Sequence, residues 1–285
     1  MTRIAPSLDN VRRGTLRVGT SYDWQCCTWN TPIARILAVV NQKGGVGKTT
    51  TAVNLAAGFA LAERPTLLVD LDPQGNATTG LGLQKSGLYP TVYHVILGNE
   101  PTEKAVRETA LTQLKLLPSD IDLVGAEIEL VSVGQREYRL RVALEPVAEA
   151  YDYVIVDCPP SLGLLTINAL AAADRVLVPL QCEFYALEGL THLLKTIKLV
   201  RERLNPRLSV EGIVLTMFDG RTSLALQIRD EVHRYFPGEI FDTVIPRNVR
   251  LSEAPSYGKP VMLHDLRSSG SVAYLELTGE VLRHE

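Results

Sequence analysis

At 285 residues, with 46% apolar and 21% charged side chains, the chain has the make-up of one α/β domain of ordinary size, not of a disordered or fibrous protein. A net charge of −3 gives no global attraction to nucleic acid, so any such surface has to be a local patch. No apolar run approaches the ~20 residues that cross a bilayer, no charged-then-apolar leader opens the chain, and Cys26, Cys27, Cys158 and Cys182 form neither a metal spacing nor a disulfide framework, which points to a reducing cytoplasm.

Residues 1–34 mix Arg, Gly, Thr and Ser with isolated Tyr22, Trp24 and Trp29, and show no periodicity. They read as a flexible tail or an extension from an upstream start, ahead of a domain over 35–285. From Ile36 on, short apolar runs alternate with helical patterns. Strands are expected at Ile36–Val40, Thr66–Val69, Leu114–Leu117, Tyr153–Val156, Arg175–Pro179, Val210–Thr216 and Thr243–Ile245. Helices are expected at about 50–62, 123–145, 163–173, 187–204, 223–235 and 271–283. Near-continuous apolar strands suit burial on both faces, so the fold class is α/β, a doubly wound and mostly parallel sheet with helices on both faces. Ligands of such sheets bind at the carboxyl ends of the strands.

The segment Lys43-Gly-Gly-Val-Gly-Lys-Thr-Thr50 sits between the first strand and the first helix, the context that a phosphate-binding loop requires. Gly44, Gly45 and Gly47 let the backbone curl so that successive N–H groups, with those of Val46, Thr49 and Thr50, face one anion at a helix N-terminus. Lys48 reaches the β- and γ-phosphates, and the Thr49 hydroxyl is placed to ligate Mg²⁺, so the cofactors are ATP and Mg²⁺. The usual G-x-x-x-x-G-K-[ST] pattern fails at its first glycine, where Gln42 stands, and an extra lysine, Lys43, precedes the glycines. Two acidic segments end apolar strands: Val69-Asp70-Leu-Asp72-Pro-Gln-Gly-Asn76 and Val156-Asp157-Cys-Pro-Pro-Ser161. An acid closing such a strand is the arrangement that holds Mg²⁺ directly or through water, and Asp157 takes that role. Gly75 and Gly163 flank the two segments and can permit movement.

Lys43-Gly-Gly-Val-Gly-Lys-Thr-Thr resembles the deviant P-loop of the ParA/MinD ATPases. With V-D-L-D-P-Q-G-N-A-T, D-C-P-P-S, L-T-M-F-D-G-R-T and V-I-P-R-N-V-R-L-S-E-A-P-S-Y-G-K-P, the likeness covers about 35–285 and is strongest to the chromosome-partitioning ParA/Soj branch. It implies an ATP-bound sandwich dimer on nonspecific double-stranded DNA, released after hydrolysis stimulated by a ParB-type partner, in the cytoplasm on the nucleoid. It also implies roles for single residues. Lys43 crosses to the partner subunit's phosphates, Asp72 positions or activates the attacking water, and Asp70 lies near the metal. Pro246 and Asn248 face the adenine end, and Arg221 and Arg250, with Arg247 beside the nucleotide loop, contact DNA. Those arginines can instead pair with acids such as Glu253 or Asp265.

Three rivals share parts of these motifs. A MinD-like membrane-positioning ATPase needs a basic amphipathic C-terminal helix, whereas Tyr274–Glu285 carries three glutamates and one arginine. A nitrogenase-type iron protein needs cysteine pairs at a shared interface, and these cysteines do not match; Cys158 and Cys182 read as small apolar fillers. A promoter-binding regulator needs a helix-turn-helix that residues 1–34 do not spell.

Overall fold

A computed structural model describes residues 34–284. The expectation for the tail lies outside these residues except at Ala34, which is buried in the core. Eight strands form one sheet: β1 Arg35–Val39, β2 Thr66–Asp70, β3 Arg107–Glu108, β4 Leu114–Leu117, β5 Tyr153–Asp157, β6 Arg175–Gln181, β7 Ser209–Phe218 and β8 Ile240–Pro246. Their order is β3-β4-β2-β5-β1-β6-β7-β8, with every pairing parallel except β3 to β4. The doubly wound, mostly parallel α/β expectation holds, and β1 lies centrally with its loop opening between β5 and β6.

The helices are α1 Lys48–Leu61, α2 Asn76–Gly80, α3 Val92–Leu97, α4 Thr102–Ala105, α5 Leu123–Glu129, α6 Arg139–Leu144, α7 Leu164–Ala172, α8 Ala186–Arg203, α9 Ser223–Tyr235, α10 Val249–Glu253, α11 Val261–His264 and α12 Ser269–Leu282. Alternate strand residues enter two cores. Ile36, Ala38, Val154 and Val156 pack with α3, α5, α6, α7, α8 and α9, while Leu37, Val39, Tyr153 and Ile155 pack with α1, α11 and α12. Side chains alternating across a pleat make that division inevitable once both faces are covered. Helix α1 is small and apolar nearly all round, so it can be sunk against the sheet, where Phe59 stacks on Tyr153 at 4.0 Å between ring centres.

One expectation needs correction, and several short elements were not expected. The single helix over 123–145 is broken: α5 runs on into a 3₁₀ turn at Leu130–Ser132, and α6 begins only after a second one at Arg136–Tyr138. Gly134 and a left-handed Gln135, at φ 55°, interrupt the backbone there. Strand β3 was also not expected, because two residues carry no period to read.

Helix α12 is an integral part of the fold. Tyr274, Leu277 and Val281 are buried, and the Tyr274 hydroxyl meets Thr51 Oγ1 of α1 at 3.0 Å. Its Glu280 carboxylate accepts the Asp242 and Thr243 backbone N–H groups at 2.7 and 3.0 Å, closing part of the exposed edge of β8. No described helix is long and apolar enough to cross a membrane.

Candidate functional site

At the carboxyl end of β1, residues 41–47 form the loop that feeds α1. Gly45 and Gly47 have φ of 76° and 87°, a conformation that side chains resist, and Gly47 is the N-cap of α1. Long-range contacts set the loop's shape. Asn41 donates from Nδ2 to the Pro179 carbonyl at 2.7 Å and accepts the Lys43 N–H on Oδ1 at 3.0 Å. Thr216 Oγ1, from β7, donates to the Val46 carbonyl at 2.8 Å, which holds Val46 buried beneath the loop. The Lys48 ammonium folds back over the loop and donates to the Lys43 carbonyl at 3.1 Å. Loops of this kind present N–H donors and a lysine to an anion.

Register explains why the acids converge. Asp157 pairs with Val39 on one side and with Asp70 on the other, so both carboxylates leave the sheet beside the loop. Asp70 is fully committed: Oδ2 accepts the Thr78 N–H and hydroxyl at 2.8 and 2.7 Å, and Oδ1 accepts the Asp72 N–H at 3.3 Å. Burial still outweighs those bonds and pushes its carboxyl up to about 6. Asp157 is wholly buried, and neither oxygen has a hydrogen-bond partner of good geometry among the described residues. Burial and then the Asp70 charge raise it well above the usual carboxylate range; the Thr49 hydroxyl and the Lys48 charge work in the opposite direction. Burial likewise lowers Lys48, with the Asp157 and Asp72 charges partly restoring it.

Above these groups lies an open cleft of about 310 Å³ lined by Gly44, Gly45, Gly47, Lys48, Thr49 and Thr50 on one wall. Asp72, Gln74, Asn76, Pro160 and Met217 make the other. The orphaned Asp157 carboxylate beside a threonine hydroxyl is a hard-oxygen donor set that fits Mg²⁺. No cluster of three His, Cys, Asp or Glu side chains that can hold a metal alone exists among the described residues, and Mg²⁺ on phosphates needs only one or two carboxylates.

The remaining expected residues lie around the cleft. Lys43 is exposed at its lip, and its ammonium is ion-paired with Glu183 after β6. Pro246 ends β8, and Asn248 caps α10, accepting the Arg250 N–H at 2.8 Å and donating to Ser269 Oγ at 2.7 Å. Neither lines the cleft. Arg221 grips Asp219 through two bonds of 2.8 and 2.7 Å, and Arg250 pairs with Glu253 at 2.7 Å and Asp265 at 3.3 Å. The pairing of Arg250 with acids is thus realised in the free chain. Arg247 is exposed. Burial pushes the Cys158 thiol up and the Cys182 thiol up to about 11, as suits apolar fillers.

Sequence reasoning did not single out Asn41 or Met217, nor Glu183 as a partner for Lys43. Met217 bends at φ 49° where β7 meets the cleft, an unusual conformation for its type. Gly163 has an ordinary extended φ, so its backbone does not require glycine, and the nearest group against it is the end of the flexible Glu127 side chain.

A family model described as an AAA domain matches residues 34–210. The chain is 56% identical to the chromosome partitioning protein ParA of Myxococcus xanthus, over 90% of each chain. It is 54% identical to the sporulation initiation inhibitor protein Soj of Bacillus subtilis, over 87% of this chain and 98% of that one. Among solved structures, the cobyrinic acid a,c-diamide synthase of Mycobacterium smegmatis with bound ATP analogue and magnesium superposes with a TM-score of 0.79 at 40% identity, over 88% of this chain and 96% of that one.

Proposed function

Because the chain belongs to the ParA/Soj family of chromosome-partitioning ATPases, we propose that it hydrolyses ATP slowly, as an ATP-dependent dimer that binds nonspecific double-stranded DNA and is released when a ParB-type partner stimulates hydrolysis. Its place is then the cytoplasm, on the nucleoid. One observation carries the ATPase half: the buried, unpartnered Asp157 carboxylate beside Thr49 and Lys48, beneath a loop built to hold an anion. The solved relative that binds an ATP analogue and magnesium supports the same ligands here.

The Thr49 hydroxyl and Asp157, with Asp70 braced behind, would hold Mg²⁺, which when bound supplies positive charge to the β- and γ-phosphates. The N–H groups of Gly44, Gly45, Val46, Gly47, Lys48, Thr49 and Thr50 would cradle the phosphates, and Lys48 would swing from its carbonyl partner to add a charge. Asp72, lining the cleft, would orient the attacking water. Pro246 and Asn248 would flank the adenine end. Lys43 would leave Glu183 and complete the charge cancellation on the partner subunit's nucleotide, tying hydrolysis to assembly. Arg221, Arg247 and Arg250 would hold phosphates without reading sequence. The ion pairs that Arg221 and Arg250 make lie at the surface, where such pairs exchange easily.

A MinD-like reading requires an amphipathic helix free to lie on lipid. The last described helix, α12, is instead packed against α1 and β8. The test of the dimer is Lys43→Ala in sedimentation with Mg²⁺ and ATP. The dimer should disappear while monomer ATP affinity changes by no more than a few fold; a dimer of normal affinity contradicts the proposal.

A further inference from the structure

Helix α2 is fastened to both acids of the segment that precedes it. Thr78, inside the helix, gives its N–H and its hydroxyl to Asp70 at 2.8 and 2.7 Å. Ahead of the helix, Asp72 accepts the Gln74 N–H at 2.9 Å on Oδ1 and the Gly75 N–H at 2.8 Å on its carbonyl. A helix so short and so tied has to follow the Asp70–Asp72 segment as one piece.

Its far end meets a second segment. Gly82, directly after the C-cap Leu81, rests on Gly258, the C-cap of the 3₁₀ turn Ala254–Tyr257. The contact is backbone on backbone. A Cβ on Gly258 would stand 2.5 Å from Gly82 Cα, and one on Gly82 would stand 3.1 Å from the Gly258 carbonyl oxygen. Both glycines are left-handed, at φ 87° and 62°. Neither neighbour is a side-chain end that can swing aside, so a methyl group at either position has to push the two turns apart.

The 3₁₀ turn continues α10 without a break, and α10 carries Arg250, with Arg247 just ahead of it. Beyond Gly258 the same segment is pinned once more: Val261 N–H donates to Asn54 Oδ1 at 2.8 Å, and the buried Asn54 also donates to the Thr50 carbonyl at 2.8 Å. Residues 247–261 are therefore held by two elements that leave the cleft, α1 behind the phosphate loop and α2 behind the acids. Loops that close on a γ-phosphate and its Mg²⁺ commonly shift when the phosphate is lost. A shift of the Asp70–Asp72 segment reaches Arg247 and Arg250 through α2 and the two glycines, while Asn54 keeps the other end in place.

We propose that the Gly82–Gly258 contact is the joint through which bound nucleotide sets the position of the arginine-bearing segment, an inference that rests on the partition reading above. Gly82→Ala and Gly258→Ala place a wedge in the joint. Gly238→Ala is the control, because Gly238 is also left-handed, at φ 80°, with nothing within 4 Å of its Cβ position. Anisotropy of a fluorescent nonspecific duplex reads DNA affinity with Mg²⁺-ATP and with Mg²⁺-ADP, and sedimentation reads the dimer. Each wedge should weaken DNA binding with ATP about tenfold at unchanged dimer affinity, without altering binding with ADP. Gly238→Ala should match the wild type. Amide hydrogen exchange on the wild-type chain needs no substitution: without DNA, residues 254–261 should exchange at different rates with ATP and with ADP. Equal exchange overturns the joint. A wild type that discriminates the nucleotides, beside wedge variants that discriminate as well, overturns the joint alone. A wild type that binds DNA alike with both nucleotides contradicts the partition reading and the joint with it.

Discussion

Asp157 is the residue at which stability and function pull apart most visibly. A buried carboxylate without a well-formed hydrogen bond costs more to hold charged than the about 1–3 kcal/mol of a neutral buried polar group, which is tolerable in a site proposed to meet a cation. Asp70 and Asp157 both have folded-state affinities for protons above those of an unfolded carboxyl, with Asp70 raised to about 6. The folded chain therefore binds more protons than the unfolded one in that window, and stability from this pair is lost as pH rises through it. In the absence of nucleotide, melting temperature should fall between about pH 4 and 6 on this account. Asp157→Asn should raise the melting temperature at neutral pH by a few degrees and cancel the further gain from Mg²⁺ and ATP. Differential scanning calorimetry decides it: a variant that melts below the wild type without ligand contradicts the orphaned-carboxylate account. Lys43 shows the other residue-scale tension, since its ammonium already has a partner in Glu183, which the proposed crossing to a partner subunit would have to displace.

At the scale of elements, every strand but the two-residue β3 was legible and the connections were not. Runs such as Val154-Ile-Val156 are apolar because both sheet faces are covered, so their pattern survives in the sequence. Short helices such as α2, α10 and α11 are set by caps and by contacts with distant segments. Val261 N–H donates to Asn54 Oδ1 at 2.8 Å, across more than two hundred residues of chain, and no local period records that. The phosphate loop was legible because its glycines, lysine and threonine are contiguous. Its anchor, Asn41 to Pro179, was not, because it ties the loop after β1 to the distant strand β6. The same limit hid Glu280, whose carboxylate serves the edge of β8 from α12. Glu280→Ala leaves two backbone donors without their acceptor and should destabilise the fold by about 2 kcal/mol, seen as a lower urea midpoint with unchanged slope. A midpoint equal to the wild type would show that water replaces the carboxylate freely.

For the whole molecule, a net charge of −3 has to be reconciled with binding an anionic polymer. The proposed answer is local and doubled: each subunit brings Arg221, Arg247 and Arg250, and ATP brings two subunits together. Arg250→Ala should weaken DNA binding and flatten its dependence on salt, because a surface that neutralises fewer phosphates releases fewer counterions. An unchanged slope would leave Arg250 to its acids, Glu253 and Asp265. The central claim is that nucleotide state governs DNA binding through assembly. Its most direct test is the affinity of the full chain for a nonspecific DNA duplex, with ATP and with ADP, across a salt series. Tight binding with ATP alone, weakening steeply with salt, is the expected result; equal and negligible binding with both nucleotides would contradict the account.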